Sequence, residues 1–290
     1  MAGVQDLQPG LRRIVAPNPS PMTEAGTNTY LVGSGEVAVI DPGPDIGAHF
    51  EAVLAALRPG ERITHIFVTH SHLDHSALVP GFTAQTGAQV HAYGDSTAGQ
   101  SAHLRKLAQI GGGEGVDRAF APDRSLDHGE VVAGASWEIR AHWTPGHFGN
   151  HMTFEWNGVA FTGDTVMGWA PSLVSPPDGD LSAFMASLEY LRELGARRFY
   201  PGHGAAIEHP AQRIDELRSH RRMRERQIVT ALRSGPSDTA ALTARIYSDI
   251  PASLHAAARR NVLAHLVDLA SKSVVEHDGP LTETTVFRLS

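Results

Sequence analysis

Apolar and polar positions along the first two thirds of the chain follow two different periods. Short β-type runs, Thr29–Val32 and Val37–Ile40, flank Gly33-Ser34-Gly35, a hairpin signature. Phe50, Val53, Leu54 and Leu57 fall at helical spacing, which predicts a helix over Ile46–Leu57 that stops at Pro59-Gly60. Ile63–Thr69 reads as a buried strand and Ser76–Thr86 as a helix. Trp137–Trp143, Met152–Trp156 and Val159–Thr162 read as strands, the last two joined by the turn dipeptide Asn157-Gly158. A helix over Leu181–Leu194 and a short strand at Arg198–Tyr200 follow. Strands and helices mixed in this order predict a layered α/β domain.

Beyond residue 208 the pattern becomes helix after helix. Ala211–Leu232 is one long helix ending at Gly235-Pro236, Thr239–Ser248 a short one before Pro251, and Ala252–Ser271 a third. Val274–His277 and Thr284–Arg288 then pair across Asp278-Gly279-Pro280. Helix, helix, helix and hairpin is the order of a winged-helix module, so the chain divides into domains over 1–208 and 209–290.

Charge follows the same division. Residues 1–208 hold 12 Lys and Arg against 22 Asp and Glu, a net of −10, and residues 209–290 hold 12 against 9, a net of +3. The 290 residues include no cysteine, which excludes disulfides, a thiol nucleophile, thiolate zinc sites and iron–sulfur clusters. Met1–Val15 has no continuous apolar run, and charge-free stretches such as Thr165–Pro177 are too short to span a bilayer, so no leader and no membrane partner are expected. A cytoplasmic location is the default expectation. Histidine, at 17 residues, is over-represented.

Those histidines are not scattered evenly. Thr69-His70-Ser71-His72-Leu73-Asp74-His75 directly follows a strand. In an extended segment residues i and i+2 face the same side, so His70 and His72 can grip one ion at the strand's end. The chain then turns into a helix, bringing Asp74 and His75 to a neighbouring position, a pattern that suits a dinuclear site. Three later segments repeat a theme in which a strand ends, glycine or proline follows, and a ligand-type residue appears. They are Thr144-Pro145-Gly146-His147, Thr162-Gly163-Asp164-Thr165 and Tyr200-Pro201-Gly202-His203-Gly204. Loops at strand ends can bring such residues into one cleft, and glycine permits close backbone approach.

His70-x-His72-x-Asp74-His75 followed by His147, Asp164 and His203 resembles the metallo-β-lactamase fold superfamily of metallohydrolases. Val39-Ile40-Asp41-Pro42-Gly43 resembles its early Asp-x-Gly motif. The resemblance implies an αββα sandwich with the metal site at one edge. His70, His72 and His147 would hold a first metal, Asp74, His75 and His203 a second, and Asp164 would bridge them. Asn18-Pro19-Ser20-Pro21, Gly26-Thr27-Asn28-Thr29-Tyr30-Leu31-Val32 and the tail from Arg224-Glu225-Arg226-Gln227-Ile228 through Leu254 to His265-Leu266 are similar to a subgroup with a C-terminal winged helix. That subgroup includes a single-strand endoribonuclease and thioesterases acting on carrier-protein thioesters. Ala77 departs from the glycine common after Asp-His-x, which implies a slightly different helix start without loss of metal binding.

Imidazole and carboxylate ligands suit two Zn²⁺ ions per chain, with Mn²⁺ or Fe²⁺ compatible. A water between two such ions has its pKa lowered towards about 7, which supplies a hydroxide nucleophile without a protein base. Asp74 and that hydroxide, held by the ligands, are the catalytic groups expected. Asp41 is expected to orient a ligand or to cap a helix, and His151 to stabilise its loop. His49, His91, His128 and His255 are expected at the surface.

Two substrate classes stay open: a small-molecule ester or thioester, and a single-stranded RNA. Met167, Trp169, Leu173 and Val174, in the loop Val166–Asp180, are candidates to line an acyl pocket or to be core. Arg218, Arg221, Arg222, Arg224 and Arg226 on the long helix could guide nucleic acid or form a solvated face. Arg259, Arg260 and Lys272 are a thin phosphate footprint for a recognition helix. Packing, homodimer formation or shaping the active-site wall are the other uses expected of the C-terminal module. A non-catalytic nucleic-acid-binding regulator is the alternative to a hydrolase, and the complete ligand set weighs against it.

Overall fold

The computed structural model describes residues 3–107, 110–282 and 284–290. Its first sheet has seven strands in chain order: β1 (Gln5–Gln8), β2 (Leu11–Val15), β3 (Asn28–Ser34), β4 (Glu36–Ile40), β5 (Arg62–Phe67), β6 (Gln89–Ala92) and β7 (Arg124–Ser125). Strands β1 to β4 pair antiparallel and β4 to β7 parallel. The second sheet contains β8 (Val131–Ala133), β9 (Glu138–Trp143), β10 (Met152–Trp156), β11 (Val159–Gly163) and β12 (Phe199–Pro201). Asn157 and Gly158, at φ 48° and 70°, close the β10–β11 hairpin with the left-handed pair that such a turn requires.

Helices α1 (Gly47–Ala55), α2 (Leu73–Ser76), α3 (Val79–Thr86), α4 (Ala102–Arg105) and α5 (Leu181–Leu194) connect these strands. Because side chains alternate along a strand, the first sheet buries two faces. Tyr30, Val32, Ala38 and Ile40 meet Ile139, Phe154 and Phe161 of the second sheet, while Leu31, Val37 and Val39 meet Val53 and Phe82 on helices. Outside the second sheet, Ala160 and Phe199 lie under Phe184 and Leu188 of α5. The layers are therefore helix, sheet, sheet, helix, the αββα sandwich expected.

The helix expected over Ser76–Thr86 begins as α3 only at Val79, separated by Ala77-Leu78 from α2, which closes at Ser76. Pro80 explains the break, since it is tolerated in the first turn of a helix and not in the interior. Ala77 sits at φ −62°, ψ −25°, an ordinary right-handed conformation in which alanine replaces glycine without strain.

The C-terminal region comprises α6 (Pro210–Leu232), α7 (Thr239–Ile246) and α8 (His255–Ser271), with β13 (Ser237–Asp238), β14 (Val275–His277) and β15 (Val286–Leu289) in a small sheet ordered β13-β15-β14. Asp238 caps α7 by accepting from the Ala241 amide at 2.8 Å. The long helix serves two cores: Ile214 and Leu217 pack beneath α5, whereas Ile228, Ala231 and Leu232 pack with Leu242, Val262 and Phe287. No helix among the described residues is long and apolar enough to cross a membrane.

Candidate metal centre

All four ligand segments end at the same edge of the sandwich. His70 and His72 extend the chain beyond β5, Asp74 and His75 start α2, His147 follows β9, Asp164 follows β11 and His203 follows β12. Two cups result. In the first, His72 Nδ1 lies 2.9 Å from His70 Nε2 and 3.2 Å from His147 Nε2. In the second, Asp74 Oδ2 lies 3.6 Å from His75 Nε2 and 3.3 Å from His203 Nε2. Asp164 stands between them: Oδ1 is 3.5 Å from His75 Nε2, and Oδ2 is 3.3 Å from His203 Nε2 and 3.8 Å from His147 Nε2.

The backbone permits this crowding only at particular residues. A Cβ on Gly202 would come within 2.5 Å of Asp164 Oδ1 and 2.7 Å of His75 Cε1. Gly163, at φ 44°, would carry one 2.6 Å from His151 Nε2. Glycine before a ligand is therefore a steric requirement here.

Four of the five rings are oriented from behind. Thr69 Oγ1 donates to Asp41 Oδ2 at 2.8 Å, so it accepts from His70 Nδ1 at 3.0 Å. His147 Nδ1 donates to the Leu173 carbonyl at 2.7 Å, His203 Nδ1 to the Gly26 carbonyl at 3.2 Å, and His75 Nδ1 to Asp41 Oδ2 at 2.9 Å. The Nε2 atoms of these four rings consequently point inward, and offer lone pairs wherever the ring is neutral. His75 Nε2 and Asp164 Oδ1, both buried, have no hydrogen-bond partner. One proton on His72 Nδ1 can serve only one of the two nitrogens facing it, whereas a cation serves all three. The donor set therefore fits metal ions, with His70, His72 and His147 able to hold one, Asp74, His75 and His203 another, and Asp164 within reach of both groups.

The cups differ in charge. Burial pushes His70 well below its usual pKa, His72 down to about 3 and His147 also downwards, so the first cup is neutral. Burial opposes charge on His75 too, but Asp74, Asp164 and Asp41 outweigh it and hold the imidazole well above its usual value. His203 likewise overcomes burial through Asp164 and Asp74 and rises to about 9. Asp74 and Asp164 are held below the carboxylate range, against burial, by those same histidines.

Asp41 orients and does not cap, since Ile46 occupies the position before α1. Its Oδ1 also accepts the Thr69 amide at 2.7 Å. His151 is buried, its Nε2 accepting the Asp164 amide at 3.2 Å and its Nδ1 lying 3.0 Å from Thr144 Oγ1. His128 and His255 are exposed as expected, but His49 and His91 are fully buried. His49 Nε2 meets Thr29 Oγ1 at 2.8 Å beneath the Asp41–Gly43 turn, and His91 stacks 5.1 Å from Phe67 on the inner face of the sheet. A sequence pattern does not separate such core histidines from surface ones. The contacts that Thr69, Gly26 and Leu173 make behind the rings escaped notice because two of the three act through backbone carbonyls, which carry no sequence signature.

The arginine cluster of α6 is largely engaged. Arg218 pairs with Glu189 and Asp215, and buried Arg221 donates to the Ser172 carbonyl and to Asn261 Oδ1. Arg224 lies 4.1 Å from the Tyr247 ring, while Arg222 and Arg226 are exposed. Arg260 donates to the Ile110 and Pro176 carbonyls, and Lys272 to Asp268. Of the loop side chains, Val174 is core, Met167 is buried, Leu173 is half-buried and Trp169 is 37% exposed.

Comparison with known proteins agrees with this geometry. Residues 22–203 match the family model of the metallo-beta-lactamase superfamily, and residues 239–281 that of the beta-lactamase associated winged helix domain. A beta-lactamase-like protein 2 homolog of Caenorhabditis elegans is 30% identical over 94% of this chain and 88% of its own. An atrochrysone carboxyl ACP thioesterase of Aspergillus fumigatus is 34% identical over 80% of this chain and 67% of its own. A metallo-beta-lactamase family protein of Thermus thermophilus superposes with a TM-score of 0.79 at 26% identity, covering 98% of this chain and all of that one. With the sandwich, the two cups and both family models in agreement, the chain belongs to the metallo-β-lactamase superfamily of hydrolases and carries that superfamily's winged-helix extension.

Proposed function

We propose that this protein is a two-metal hydrolase, with zinc as its working ion, that cleaves an acyl thioester. The convergence of five imidazole nitrogens and two carboxylates on two adjacent cups carries the hydrolase reading. When bound, such ions supply Lewis acidity and lower the pKa of water. The chain's own residues keep the centre in register. Asp41 and the Leu173 and Gly26 carbonyls fix the Nδ1 protons outward, and Asp164 spans the cups from a turn pinned by His151.

In hydrolysis a water oxygen bonds to the acyl carbon, and the carbon–sulfur bond breaks with its electron pair leaving on sulfur. A thiolate departs without a proton at neutral pH more readily than an alkoxide, so a thioester makes no demand on a general acid. The thioesterase named among the relatives supports the same class. Single-stranded RNA is less well supported, because Arg218, Arg221, Arg260 and Lys272 already serve contacts within the protein.

The test is one panel with metal-loaded protein: an acyl thioester, S-lactoylglutathione, a fluorescent single-stranded RNA and a chromogenic cephalosporin, alongside metal analysis. Thioester turnover lost in His72→Ala supports the proposal. RNA cleavage lost in the same variant, with the thioester untouched, replaces it.

A further inference from the structure

Between the sandwich and the C-terminal region lies a cavity of about 250 Å³. One wall is Met22 with Trp169 and Leu173, and the facing wall is Tyr247, Leu254 and Ala257. Each segment of the first wall is tied to a residue of the metal centre. The Leu173 carbonyl accepts from His147, and the Trp169 indole sits where a Cβ on Gly204, next to His203, would lie 2.7 Å from Cδ1. The loop bearing Met22 ends at Gly26, whose carbonyl accepts from His203. None of the lining residues is acidic, His220, Arg224 and Asn261 are its polar members, and the Arg224 guanidinium is already stacked on the Tyr247 ring; most of the rest are apolar. The facing wall is held at a fixed distance, because Arg221 and Asn261 of the C-terminal region hydrogen-bond the Ser172 carbonyl and the Val174 amide on either side of Leu173.

We infer that this cavity receives the acyl group of the thioester substrate, an apolar group of medium length, and that the C-terminal region selects the substrate by forming the far wall. The inference rests on the thioesterase reading. The volume lies just below the range of about 300–1,000 Å³ usual for small-molecule sites, too small for a long saturated chain in full and far larger than an acetyl group needs. Phosphodiester recognition calls instead for a basic surface open to solvent. Ala257 and Leu254 are then specificity-determining residues that never touch the reacting atoms.

The test compares kcat/KM of the metal-loaded, full-length protein for acetyl, octanoyl and palmitoyl thioesters of one thiol. Octanoyl is expected to exceed acetyl by about tenfold or more, mostly through KM, as burial of several methylenes in an apolar pocket requires. Ala257→Trp, which fills the cavity, is expected to lower the octanoyl-to-acetyl ratio about tenfold. Leu254→Ala, which enlarges it, should shift the optimum towards palmitoyl. A ratio indifferent to chain length, or unmoved in both variants, overturns the inference while leaving thioester hydrolysis intact. A second measurement is independent of turnover: an octyl thioether of the same thiol, which has no carbonyl to hydrolyse, should shift tryptophan emission to the blue in the wild type and not in Trp169→Phe. A blue shift with no thioester turned over keeps the pocket and removes the thioesterase reading, and no shift overturns the pocket.

Discussion

The two cups are built by different physics from adjacent stretches of chain. His70, His72 and His147 are neutral because burial strips their protons, so they offer lone pairs with nothing to displace. Asp74, His75 and His203 are charged because carboxylates hold protons on the imidazoles against burial. A metal entering the first cup competes with no proton, whereas one entering the second must expel protons and inherits two carboxylates in exchange. Asp164 belongs to both cups, and it makes one centre of two sites.

The substitution that breaks this comparison most completely is Asp164→Asn. It keeps the size and removes the negative charge shared between the cups. Metal analysis is expected to fall from two ions to one, with activity lost by more than the ~100-fold that outer-shell changes cause. Two tightly bound ions with full activity would sink the bridging role. A smaller and more selective effect is expected of Asp41→Asn. Asparagine tolerates the left-handed backbone at φ 52°, so the turn survives while the acceptor for His75 Nδ1 is degraded. Affinity of the second cup should drop about 10–100-fold, and the first, reached only through Thr69, should weaken less. Equal weakening in metal titrations would show that Asp41 is structural only.

Acidity separates the cups without any mutation. In the ion-free protein the carboxylates push His203 up to about 9 and hold His75 well above its usual value, so both favour the protonated form at neutral pH. Raising the pH towards 9 lightens the competition, and second-cup affinity should rise about tenfold per pH unit for each proton displaced. Burial pushes the first-cup histidines below their usual pKa, so the affinity of that cup should change less over the same range. Metal titrations at pH 6, 7 and 8, with proton release followed in weak buffer, check both slopes. Parallel slopes would remove the distinction.

The sequence made the cups legible because ligands sit in contiguous strand-end loops, each announced by glycine, and chain order alone brings such loops to one edge. Its grasp weakened wherever the outcome depended on what packs against a residue. His49 and His91 look like surface polar residues until the sheet closes over them. Pro80 split a periodic helix that the apolar spacing alone would run together. Strands β1 and β7 carry too few apolar side chains to be seen, Gln5–Gln8 having only Leu7 and Arg124–Ser125 none. Arg221 reads as one of a basic row, yet helix periodicity does not tell which face of α6 meets another domain, and it is buried against Phe184.

That buried contact supplies the smallest and most discriminating change, Asn261→Ala. Asn261 Oδ1 accepts from Arg221 Nη1 at 2.8 Å and from the Val174 amide at 3.2 Å. Removing it leaves two donors without an acceptor, which costs about 1–3 kcal/mol of stability if neither finds water. The strain falls on the segment around Leu173, whose carbonyl holds the His147 proton outward, and on no group behind the second cup. First-cup affinity should therefore fall several-fold while second-cup affinity and its pH slope stay as they were. Asn261→Asp, which restores both acceptors and pairs with the Arg221 charge, should recover the loss. Loss of affinity in both cups together would mean that the C-terminal region supports the sandwich as a whole; loss in the first alone places the domain's influence at the Leu173 carbonyl.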